Sequence, residues 1–80
     1  MKDDERQFLI DFYRRRKNTR LWPRDLINEP GFVMPHKRAW YILEKWSNKD
    51  WYNYGTTLDL GWLTEKGIEV AEGLMGKVEE

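Results

Sequence analysis

Eighty residues make one domain near the lower size limit for unaided folding, and five tryptophans in a chain that is 40% hydrophobic supply large apolar surfaces for a core. Cysteine is absent, which excludes disulfides and thiolate metal sites, and no apolar run is long enough to span a bilayer. Formal net charge is zero, but residues 1–49 hold twelve Lys/Arg against seven Asp/Glu and residues 50–80 hold two against seven, so the basic part can still meet a phosphate backbone.

In chain order, DDERQFLIDFYRRRK (residues 3–17) reads as a helix. Phe8, Leu9, Phe12 and Tyr13 gather on one face, and acids lead while bases trail, as the helix dipole favours. Pro23 suits a first helical position and predicts a short helix over Pro23–Asn28 that turns Leu26 and Ile27 inward. NEPGF, residues 28–32, is a turn. A second strong helix is predicted from about Pro35 to Asn48. Ala39, Leu43 and Trp46 line its inner face, flanked by Trp40 and Ile42, while Lys37, Tyr41 and Lys45 lie opposite.

The period then changes. WYNYG (51–55) is β-prone, and LDLGW (58–62) alternates with Leu58, Leu60 and Trp62 on one side. A bend at Gly55-Thr56-Thr57 joins them into a hairpin, with Trp62 and Leu63 ending the second strand toward the core. Thr64 caps a helix from Glu65, and Gly67 lets its first turn pack closely against the hairpin. Ile68, Ala71, Leu74 and Met75 continue the inner stripe. The expected class is α+β, a single domain over 1–80 with an ordered core of about 5–76.

Catalytic chemistry has little to stand on. His36 is the sole histidine, the carboxylates are scattered, and no glycine loop cradles a phosphate, so neither an enzyme, a metal site nor a cofactor is expected. MKDDERQ offers no signal-peptide apolar region, and the expected compartment is the cytoplasm, without membrane contact. Most of the tryptophans are assigned to the core, with Trp51 and Tyr54 left open. Several exposed aromatics would favour a protein-binding surface or a homodimer seam over a nucleic-acid platform.

AWYILEKW at 39–46 and LTEKG at 63–67, in this order and spacing, resemble the small winged helix-turn-helix domains. The resemblance implies three N-terminal helices, a β-hairpin wing and a C-terminal helix. It also implies a recognition helix over Pro35–Asn48 that enters the major groove, with His36, Lys37, Arg38, Tyr41 and Lys45 on it and Thr56 and Thr57 at the wing tip.

Side-chain chemistry sorts these positions. Arg38 is suited to reading a guanine edge, Lys37, Lys45 and Lys49 to phosphate contacts, and Tyr41 to a phosphate or a thymine methyl. Arg14, Arg15, Arg16 and Lys17, with Arg20 and Arg24, form the densest positive stretch and are assigned to phosphates beside the helix. The expected function is sequence-specific or accessory binding of double-stranded DNA, in transcriptional or phage and mobile-element regulation. The alternative is a winged-helix protein-interaction module, working as a homodimer or through an acidic C-terminal half that meets a basic partner.

Overall fold

Three acids at the start of the first helix and three bases at its end complement the helix dipole and set its limits, Asp3–Asn18 (α1). The computed structural model describes residues 1–32 and 34–79, with side chains through Gly76 apart from that of Asn18. Phe8, Leu9 and Phe12 of α1 are fully buried. After an extended Thr19, α2 (Pro23–Ile27) begins on its proline, and the Asp25 carboxylate accepts the Trp22 N–H at 3.2 Å. Leu26 and Ile27 point inward, as their spacing requires. Gly31 takes the left-handed backbone, φ 84°, that the turn after α2 needs.

Pro35 is the N-cap of α3 (His36–Asn48), which begins one residue later than the sequence predicts. Ala39, Ile42, Leu43 and Trp46 form its buried stripe. The helix ends in a two-bond reversal: the Asp50 N–H donates to the Ser47 carbonyl (3.2 Å) and the Trp51 N–H to that of Trp46 (2.9 Å). Asp50 holds the left-handed φ of 64° that glycine usually supplies there.

The reversal delivers β1 (Tyr52–Tyr54), paired antiparallel with β2 (Gly61–Leu63) in the register Tyr52–Leu63, Asn53–Trp62 and Tyr54–Gly61. The expected second strand is therefore displaced. Leu58 and Leu60 belong to the connecting turn, and the inward positions of β2 are Gly61 and Leu63, with Trp62 outward. The Tyr52 phenol explains the shift. It is buried and donates to the Leu58 carbonyl at 2.6 Å, which folds the connection back, and burial pushes its pKa well above that of a free phenol. At Gly61 a Cβ would stand 2.3 Å from the Asn53 carbonyl oxygen and 2.5 Å from the Tyr52 hydroxyl, so only glycine fits beside that ring. In a period-2 strand a slip of one residue sends every side chain to the other face.

Thr64 caps the last helix, α4 (Glu65–Glu79), by accepting the Gly67 N–H at 3.2 Å, while its hydroxyl donates to the Asp50 carbonyl. Ala71 is fully buried, and Ile68, Val70 and Leu74 pack against the core as α4 returns along α1. Among the described residues, four helices and a two-stranded antiparallel hairpin make an α+β domain whose layout is compatible with a winged helix.

The tryptophans depart from expectation. Only Trp46 is buried, stacked near Phe8 (centroids 5.2 Å). Trp22 and Trp51 are half-buried beneath Arg16 and Lys49, and Trp40 and Trp62 are exposed. Position 40 lies about a hundred degrees round the helix from the centre of the 39–42–43–46 stripe, too far to turn an indole inward.

Candidate nucleic-acid interface

The cations of α3 separate into two edges. On the outer edge His36, Lys37 and Tyr41 are exposed, Tyr41 at 59%, alongside Trp40 and Glu44. Neither His36 nor Lys37 has a carboxylate partner among the described residues, and no side chain caps the first-turn N–H groups. An uncapped helix start beside positive charge suits a phosphate. Lys49, at the far end, lies 4.8 Å from the Trp51 ring centroid.

Arg38 and Lys45 sit on the edge that meets the start of α1. Arg38 makes a bidentate pair with Asp4, at 3.0 Å from Nε and 3.2 Å from Nη2, which holds the Asp4 carboxyl below its ordinary value. Lys45 Nζ donates to Glu5 at 3.0 Å, and the Trp46 indole N–H donates to the other Glu5 oxygen at 3.0 Å. Glu5 is only 1% exposed, so these two donors satisfy a carboxylate taken out of water. Lys45 thus points to α1, away from the Lys37–Tyr41 side to which the sequence assigns it.

The hairpin expected to form a wing does not project. The Arg24 N–H donates to the Asp59 carbonyl at 3.0 Å, and the Arg24 guanidinium grips the Asp59 carboxylate at 2.8 and 3.2 Å, pinning the hairpin turn to the start of α2. Thr57 donates its hydroxyl to the same carboxylate at 2.8 Å, leaving Thr56 as the exposed threonine of the tip. Arg24, and secondarily Thr57, hold the Asp59 carboxyl below its free value of 3.8. Since the folded value is the lower one, this contribution is complete above about pH 4 and drains away as pH falls through the folded pKa. Amide spectra followed against pH should show Thr57 and Leu60 steady from neutrality to about pH 4 and moving only below it, with Asp59→Asn abolishing that acid response.

Of the basic stretch at the end of α1, Arg15 is paired with Glu29, Arg16 donates to the Leu21 carbonyl at 2.8 Å, and Lys17 lies 5.7 Å from the Tyr13 ring centroid. Arg14 and Arg20 are exposed. Asp4 and Lys17 are about 20 Å apart along α1, so the two basic groups do not converge on one spot. Sequence reasoning missed the carboxylates Asp4, Glu5, Glu29 and Asp59 as partners. The one legible signal was the DDE run opening an amphipathic helix, where a glutamate three residues ahead of Phe8 shares its buried face.

Among the described residues no group of three His, Cys, Asp or Glu side chains could hold a metal ion, and no helix is long and apolar enough to cross a membrane. No known protein family, curated protein or solved structure matches the chain.

Proposed function

We propose that this chain binds double-stranded DNA as a winged-helix module, through the outer edge of α3, in the service of cytoplasmic transcriptional or mobile-element regulation. The observation that carries the reading is α3 itself: its start is uncapped, His36 and Lys37 stand on its outer edge without a partner among the described residues, and Tyr41 is exposed beside them with its ring 5.9 Å from the Arg38 guanidinium. Arg38 joins them by exchange. Its side chain and that of Asp4 are both in touch with water, 27% and 37% exposed, so a phosphate or guanine edge replaces the carboxylate in like-for-like geometry. Lys45 is excluded from this set, because its departure would strand buried Glu5. Lys49 and Thr56 supply backbone contacts at the ends of the surface, and the exposed Arg14 and Arg20 reach only a duplex that runs on past α1.

The test is fluorescence anisotropy with a mixed-sequence duplex across a salt series, using the wild type, Lys37→Ala and Arg38→Ala. Binding should weaken steeply with salt, and Lys37→Ala should lower the slope of log affinity against log salt by about one. Absence of binding at low salt, or variants that match the wild type, rejects this face.

A second reading has its own observation. Trp40, Tyr41, Tyr54 and Trp62 are between 38% and 59% exposed, more large aromatic surface than DNA contact requires. A second copy or a protein partner would cover it, and sedimentation showing self-association without duplex binding would favour that reading.

A further inference from the structure

We propose that the groove between the end of α1 and the root of the hairpin binds a small molecule with an apolar body and a single carboxylate. Tyr13, Arg16 and Lys17, spaced so that they share one face of α1, look across at Leu63, the last residue of β2, and Ile68 in the first turns of α4. They enclose a hollow of about 280 Å³ whose walls are largely the Tyr13 ring and aliphatic side chains. The Tyr13 hydroxyl is turned aside by donating to Glu72. Arg16 and Lys17 also line an adjoining hollow of about 260 Å³, completed by Thr19 and Arg20. Among the described residues no carboxylate lines either one.

Charge fixes the kind of occupant. Arg15, Arg24, Arg38 and Lys45 each face a carboxylate of the chain, whereas Arg16, Lys17 and Arg20 have none within 4.0 Å among the described residues. Arg16 is held in place by its bond to the Leu21 carbonyl and by Trp22, 5.1 Å from the ring centroid, and among the described residues most of its five N–H donors are unspent. The nearby helix-end carbonyl of Arg15 is already taken by the Thr19 N–H and hydroxyl, each at 2.9 Å. A third hollow, beyond Tyr13 and Lys17, carries Glu72 and repels an anion from that side. The carboxylate is thereby directed toward Arg20 while the apolar body lies against Leu63 and Ile68. The hollow is slightly smaller than a drug-sized pocket, which calls for a short chain or a single ring.

This groove lies about 14–20 Å along α1 from the Asp4–Arg38 pair, so it is separate from the α3 surface, and Arg20 is the one residue it shares with a duplex that runs on past α1. The experiment titrates octanoate, 1-octanol and inorganic phosphate into the labelled protein and follows backbone amides. Octanoate should give saturable shifts centred on Lys17, Arg20 and Ile68, with 1-octanol and phosphate each about tenfold weaker or worse. The double variant Lys17→Gln/Arg20→Gln, at two exposed positions, should keep the folded spectrum and lose about tenfold in octanoate affinity. The proposal is overturned by any of four results: no saturable shift, octanol matching octanoate, phosphate matching octanoate, or the double variant binding octanoate unchanged.

Discussion

Gly67→Ala should destabilise the protein by about 3 kcal/mol in urea denaturation and loosen the hairpin from α4. The added methyl carbon would lie 2.0 Å from the Trp51 carbonyl oxygen, 2.9 Å from its carbon and 3.2 Å from its Cα. All three are backbone atoms, so no rotamer change relieves the clash. Moving Trp51 is costly too, because the same carbonyl accepts the Thr64 N–H at 3.0 Å and the Trp51 N–H closes the end of α3. One glycine thus lets the end of α3, the start of β1 and the cap of α4 meet. The sign is the informative part. Within a helix, glycine to alanine ordinarily gains up to about 1 kcal/mol. Gly73 in the same helix has nothing within 4 Å of its would-be Cβ, so Gly73→Ala should show that gain. If the two variants shift the midpoint alike, α4 does not seat on Trp51 as described.

That close approach was legible in LTEKG, because a glycine three residues past a threonine cap has no helical reason to be there and needs a packing one. The apolar stripes of α1 and α3 were legible for the same kind of reason: Phe8, Leu9, Phe12 and Ala39, Leu43, Trp46 repeat at a period that only a helix gathers. The hairpin register was not. Leu58, Leu60 and Trp62 alternate as convincingly as Gly61 and Leu63, and the choice between the faces was made by the Tyr52 hydroxyl reaching the Leu58 carbonyl, six residues away along the chain. Local periodicity holds no record of such a bond. The candidate site was half legible. The exposure of Lys37 and Tyr41 follows from helix geometry, but the capture of Arg38 by Asp4, of Arg24 by Asp59 and of Arg15 by Glu29 spans 34, 35 and 14 residues and depends on how the helices cross.

Glu5 should prove the most sensitive charged position. Glu5→Ala leaves the Trp46 indole N–H without its partner inside the core and opens a cavity beside α3, at a cost of about 3 kcal/mol. Lys45→Ala should cost a comparable amount for the converse reason, since a carboxylate 1% exposed loses the one cation bonded to it among the described residues. Glu5→Gln separates the two roles: its amide oxygen still accepts from Trp46, so it should retain most of the stability lost in Glu5→Ala. The double variant Glu5→Gln/Lys45→Met then carries no buried charge to be compensated, and it should be more stable than Lys45→Ala alone, although it too lacks the lysine. Urea denaturation of the four variants beside the wild type would decide the matter, and a Lys45→Ala variant as stable as the wild type would show that Glu5 reaches water. The result also governs how DNA binding is tested. A protein weakened by the loss of Lys45 binds any ligand of its folded state more poorly, so contact with the duplex is tested at Lys37 and Arg38, whose removal leaves both hydrogen bonds to Glu5 in place, and not at Lys45.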